Sequence, residues 1–234
     1  EGAMSGASTG LGGPMGSNGS LNQELGDHGS EAGRCSCYGT HFGHVYLALE
    51  QDGTSSEAQW FHANLPDGRV FSVAARESYG IGTLFGHTSD SGLIYGRVGY
   101  QRGIFDTRYV HNDNLIQQRN ELGGFRTGLG GELKASASTF VRLDFSRVAY
   151  QDYDIDSDGD VDNFANSVSG VRLGFGYRAG LGGPQDPKTN THSIEWDMTG
   201  FYGGLQVGPA TLGSHIMGPR SGGKTLLAEY ADDG

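Results

Sequence analysis

The residues best suited to chemistry in this chain are carboxylates, arginines, histidines and one glycine-rich run. Asp154-Ile-Asp156-Ser-Asp158-Gly159-Asp160-Val-Asp162 sets oxygen ligands at alternate positions around a glycine, the opening of an EF-hand-type calcium loop. Ala165 stands where the bidentate Glu should be and no helix flanks the run, so the sequence favours a solvated acidic loop over a calcium site. Gly218-Pro-Arg-Ser-Gly-Gly223-Lys224-Thr225 spells a P-loop, but that chemistry needs a strand before it and a helix after it to aim amides at phosphate. Neither is expected here. His41 and His44 sit across a short turn without a third ligand. Ser78 and His111 are available to a lipid-modifying site, yet nothing fixes their geometry. No catalytic residue is assigned, and the expectation is a protein that is not an enzyme. Cys35 and Cys37 share one face of a strand, with Cα atoms about 6.5 Å apart, poorly placed for a mutual disulfide; they read as small apolar residues.

A second set of charges repeats with strand periodicity. Segments such as Leu93-Ile-Tyr-Gly-Arg97-Val-Gly-Tyr100, Phe140-Val-Arg142-Leu-Asp144-Phe145 and Val171-Arg172-Leu-Gly-Phe175 alternate apolar residues with Gly, Arg, Asp or Glu. Successive side chains of a strand point to opposite faces, so each segment has an oily face and a charged or very small one. A sandwich buries the oily face against a second sheet, whereas a membrane barrel turns it to lipid. On the barrel reading, Val45, Leu49, Ile94, Leu129, Phe175 and Leu205 face outward. Arg34, Glu50, Arg97, Arg126, Glu132, Arg142, Asp144, Arg172 and Gln206 then face a narrow lumen, where ions must pair to be tolerated. The expected result is a lumen network that fills and stiffens the barrel, with no free aqueous pore.

Composition bounds the classes. The chain has 234 residues, 42 of them Gly, and a formal net charge of −11, which argues against a nucleic-acid partner. Collagen's three-residue period is absent, and the 11 Phe and 11 Tyr at strand spacings argue for order. No apolar run reaches the length of a spanning helix, and barrel strands dilute their own hydropathy. No secretory signal is visible in residues 1–30, so an exported barrel would be present here as a mature or engineered form.

The elements that must position these residues follow in order. Residues 1–30 read as a flexible Gly/Ser-rich arm, and 31–234 as a single barrel domain. Strands are expected near 31–40, 43–51, 69–87, 92–110, 120–134, 139–153, 166–179 and 193–208. Linker 180–192 separates the last two, and 209–234 is expected to be loop-like. The fold class is all-β, an eight-stranded antiparallel up-and-down transmembrane β-barrel. Long and short connections alternate, as in barrels with loops on one side and turns on the other.

This pattern resembles the eight-stranded outer-membrane barrels of the outer membrane protein A/opacity-protein type, particularly those of α-proteobacteria. The resemblance covers roughly residues 31–234, strand by strand. Thr199-Gly-Phe-Tyr202-Gly-Gly-Leu-Gln-Val-Gly208 looks like the family's first strand, Leu93–Gly99 like its fifth and Val171–Arg178 like its last. The order differs, because the first-strand segment follows the last-strand segment. A circular permutation with ends in an outward loop, the old termini joined through 180–192, accounts for this; a fragment of a duplicated barrel is the rival account. The resemblance implies a bacterial outer-membrane location. Its partners would be the lipid bilayer and surface or extracellular molecules met by the loops, with the chain a monomer or weak oligomer. A soluble lipocalin-like carrier and a narrow low-conductance channel are the alternatives.

Overall fold

The computed structural model describes residues 22–26, 28–64, 69–111, 114–136, 138–157, 160–179, 199–218 and 225–230. Among the described residues twelve strands form one antiparallel sheet: β1 (Asn22–Gly26), β2 (His28–Phe42), β3 (Val45–Ser56), β4 (Gln59–Asn64), β5 (Arg69–Thr88), β6 (Gly92–His111), β7 (Asn114–Lys134), β8 (Thr139–Tyr150), β9 (Tyr153–Ser157), β10 (Asp160–Ala179), β11 (Gly200–Gly218) and β12 (Thr225–Tyr230). Eight close into a barrel in the order β5-β3-β2-β11-β10-β8-β7-β6, with β6 pairing back onto β5. The other four lengthen the wall at one end. β4 resumes β3 along β5, β9 pairs β10, β12 pairs β11, and β1 pairs β4.

One rim is made of tight connections. β2 and β3 join through Gly43 and His44, with Gly43 at φ +60, a left-handed conformation that glycine adopts without steric penalty. Ser89 N–H donates to Gly92 O between β5 and β6, and Ala135 N–H to Thr139 O between β7 and β8. β10 and β11 also meet at this rim, with Ala179 opposite Phe201. At the opposite rim the strands run past the barrel as long hairpins.

Reading every second residue of β8 gives a section through the interior: Phe140, Arg142, Asp144, Ser146, Val148, Tyr150, all buried. An apolar floor near the turn rim contains Tyr46, Leu84, Tyr95, Phe140 and Tyr202. Charged side chains lie above it. A second apolar core, including Trp60, Phe105, Tyr109, Tyr150 and Phe164, fills the long-hairpin end. Glycines give the aromatic rings room. A Cβ at Gly130 would run into the Tyr95 ring, and one at Gly176 into Phe140.

The structure corrects several sequence expectations. The arm expected over 1–30 contributes β1 and the start of β2; residues 1–21 lie outside the described residues. The eighth barrel strand runs Gly200–Gly218, where 193–208 was expected, and the supposedly loop-like stretch 209–234 contains the rest of that strand and β12. Residues 193–198 are not among those described. The acidic stretch is a hairpin ladder and not a loop, with Asp154 opposite Asn163, Asp156 opposite Val161 and Ser157 opposite Asp160. An EF-hand site needs the chain wound around the ion. Ladder pairing holds Asp154, Asp156, Asp160 and Asp162 extended, and Asp158 lies outside the described residues.

Candidate functional site: the charged lumen

Glu50 on β3 is the hub. Its carboxylate is fully buried and meets guanidinium groups from three strands across the lumen. Arg97 Nη2 on β6 lies 2.7 Å from Oε1, Arg126 Nη2 on β7 lies 3.1 Å from the same oxygen, and Arg142 Nη1 on β8 lies 2.8 Å from Oε2. The Arg97 contact is too bent to count as a hydrogen bond, so the attraction there is chiefly that of charge.

The network spreads from this hub. Arg97 donates to Asp144 at 2.8 Å, and Tyr95 Oη donates to the other oxygen of Asp144. Arg126 reaches Asp52, and Arg142 reaches Glu132 at 3.0 Å. Arg178 donates to the second Glu132 oxygen at 2.9 Å. Arg172 connects Asp144 and Ser146 with Glu31. The cage therefore holds Arg97, Arg126, Arg142, Arg172 and Arg178 against Glu31, Glu50, Asp52, Glu132 and Asp144, all buried. Positive and negative groups are equal in number, as burial of ions demands. Arg142 also lies 5.0 Å from the centre of the Tyr95 ring, and Arg178 5.2 Å from that of Tyr202, tying the charges to the floor.

Of the residues expected in the lumen, Glu50, Arg97, Arg126, Glu132, Arg142, Asp144, Arg172 and Gln206 are there. Arg34 is not. It is exposed on the outer face, opposite Leu205, which is 72% exposed. Glu31, Asp52 and Arg178 belong to the cage and were missed, although each lies an even number of positions from an inward residue of its own strand. That parity was the available signal.

Among the described residues, Cys35, Cys37 and Glu50 form the one group whose ligand atoms converge, within 4.8 Å of one another. Both cysteines are free thiols. Cys37 Sγ donates to Glu50, while Cys35 Sγ accepts from Arg142 at 3.4 Å and from Gln206 at 3.3 Å. Arg142 thus brings positive charge to the sulfur and the carboxylate together, so the group is complete as a hydrogen-bonded part of the cage.

Beside the cage, the pockets among the described residues leave little open space. The pocket among Glu50, Asp52, Arg97 and Arg172 has no room for a water. A cavity of about 30 Å³ between the cage and the upper core, lined by Glu31, Gln101, Tyr150 and Arg172 among others, is the size of a single water. The arrangement braces the wall across its diameter.

No protein-family model matches the chain, and no curated protein matches it. Among the solved structures that bear a distant likeness to it are two autotransporter domains. The crystal structure of the transport unit of the autotransporter AIDA-I from Escherichia coli has 10% identity and a TM-score of 0.32, over 84% of this chain and 86% of that one. The β domain of the Bordetella autotransporter Brka has 13% identity and a TM-score of 0.27, over 83% of this chain and 86% of that one.

Proposed function

We propose that the chain is an outer-membrane β-barrel with a closed, charged lumen, acting structurally or through surface contacts of its long hairpins, without catalysis. The observation that supports this most strongly is an inversion of polarity along single strands. On β6 the outward residues Ile94, Val98 and Tyr100 give way to Arg102, Asp106 and Arg108 with Ile104 half-buried among them, while the inward set passes from Leu93 and Tyr95 of the floor through Arg97 and Gln101 to Phe105 and Tyr109. On β8 the outward set passes from Val141, Leu143 and Phe145 to Arg147, and the inward one from Arg142 and Asp144 to Val148 and Tyr150. β10 runs the other way and inverts in the opposite sense, from Ser167 and Ser169 to Val171, Leu173 and Phe175.

A barrel wholly in water has no reason to expose Ile94 at 76% over a buried Arg97 and then reverse the arrangement higher up. Lipid around one storey and water around the next accounts for both halves. From Val45, opposite His87, to Gly53, opposite Tyr79, the belt runs eight residues. At about 3.4 Å per residue and a tilt of about 40° it is roughly 21 Å tall, near the apolar band of outer-membrane barrels.

The placement of the ends fits a permuted member of the outer membrane protein A/opacity-protein type: β1 and β12 both lie at the long-hairpin rim, where a cut in an outward loop would leave them.

The test is detergent dependence together with a charge placed on the belt. The purified chain should partition into detergent or vesicles and migrate faster unheated than boiled. Leu129→Arg should weaken folding into vesicles by about 2–4 kcal/mol, the cost of a basic residue on a lipid face. A chain that stays monomeric and folded in plain buffer, with Leu129→Arg neutral, would sink the membrane reading.

A further inference from the structure

We infer that the outer wall above the apolar belt carries a binding groove for a phosphate-bearing saccharide, the headgroup of an outer-leaflet glycolipid. The inference rests on the membrane reading above. The groove is open, about 470 Å³, and lies across β4, β5, β6 and β7. Its charged residues are Arg76, Arg108, Arg119 and Asp106, joined by Gln59, Gln117 and Ser72.

Three observations carry it. First, the charge is locally positive in a chain of formal net charge −11: three guanidinium groups face one carboxylate. Asp106 lies 2.9 Å from Arg76 and 3.9 Å from Arg119. Arginine's planar fork suits the oxygens of phosphate, and amide and hydroxyl side chains suit sugar hydroxyls.

Second, Arg76 is aimed by a backbone device. The β5–β6 register slips between Ala75 and Ser78, so consecutive residues Arg76 and Glu77 are both exposed. Such a bulge redirects a side chain that strict alternation would place otherwise. Here it brings Arg76 onto Asp106 across the groove.

Third, height selects the ligand. Asp106 and Arg108 lie four and six residues beyond Arg102, the first charged residue on the outward face of β6. That is roughly 10–16 Å along the membrane normal at about 3.4 Å per residue and a tilt of about 40°. An ordinary headgroup layer is only about 5–8 Å thick, so a glycerophospholipid phosphate falls short. A headgroup of several phosphorylated sugars reaches it while its acyl chains lie along the belt.

The experiment measures binding of rough-type lipopolysaccharide to the full chain in detergent micelles, beside its dephosphorylated form and inorganic phosphate. The parent should prefer the phosphorylated glycolipid. The triple variant Arg76→Gln/Arg108→Gln/Arg119→Gln should bind it at least about tenfold more weakly, and Arg34→Gln, outside the groove, should bind like the parent. Heat-modifiable migration reports folding of each variant, and Arg108→Glu alone provides the same reading if the triple variant does not fold. Equal binding by parent and folded variants, or equal binding of the dephosphorylated form, overturns the inference. Full competition by inorganic phosphate overturns the glycolipid assignment and leaves a free anion as the ligand. A chain that folds without detergent refutes the membrane reading, a result read separately from the effect of the arginine variants.

Discussion

Replacing Glu50 with Gln keeps the size of the side chain and deletes one charge from a cage of five arginines and five acids. The guanidinium groups of Arg97, Arg126 and Arg142, at 2.7, 3.1 and 2.8 Å, lose their common counter-ion together. Each keeps another carboxylate: Asp144 for Arg97, Asp52 for Arg126 and Glu132 for Arg142. The loss is therefore one uncompensated buried charge and not three, at about 3–5 kcal/mol. With a urea slope of about 3 kcal/mol/M, the unfolding midpoint should fall by roughly 1–1.7 M. The assay is urea unfolding of the barrel in vesicles, followed by the heat-modifiable band. Arg97→Met in the same chain removes one cation and restores balance, leaving Asp144 with Arg172. The double variant should therefore be more stable than the sum of the two single losses by at least about 1 kcal/mol. Additive losses, or a Glu50→Gln midpoint equal to the parent's, would refute the claim that charge balance holds the lumen together.

Other consequences are as direct. Gly176→Ala pushes a methyl into the Phe140 ring and should cost about 1–3 kcal/mol, with partial recovery in Gly176→Ala/Phe140→Leu; a neutral Gly176→Ala would show that the ring is not held there. With an apolar floor below the cage and an apolar core above it, planar bilayers containing the protein should show no stepwise conductance, and reproducible steps would contradict the closed lumen. A chain reopened near residue 190, with 234 joined to 1, retains every barrel ladder and should fold to the same heat-modifiable species. Failure of that chain to fold, with the parent folding normally, would count against the permuted-barrel account.

The eight barrel strands were legible because most carry a strong two-residue alternation. Ile94, Val98 and Tyr100 against Arg97 leave no doubt about which side is which. Arg34 was misread because its strand, Gly33-Arg-Cys-Ser-Cys-Tyr38, has small neutral residues on both faces, so charge alone was taken to mark the interior. At the edge of the belt an exposed arginine carries no such penalty. Parity with Cys35 and Cys37 would have put Arg34 outside and Glu31 inside. The upper apolar core was missed for a related reason. One face assignment was carried along whole strands, whereas Val148 and Tyr150 follow Asp144 on the same face. The acidic run was read through ligand spacing, but its paired ends Ser157 and Asp160 enclose Asp158-Gly159, a dipeptide favoured in two-residue hairpin connections.

On the membrane reading proposed above, the equal tally of cations and anions in the lumen has a consequence for how the barrel enters a bilayer. Sealed, the cage is an electrically silent body, and moving it through hydrocarbon carries no net charge. Half assembled, it would drag guanidinium groups from separate strands through lipid at about 2–4 kcal/mol each. Glu50 on β3 is satisfied only when β6, β7 and β8 have arrived, and Arg172 on β10 meets Glu31 on β2 from the other side. Strands that need one another before any can be neutral favour crossing together, so closing the ring and entering the membrane become a single event.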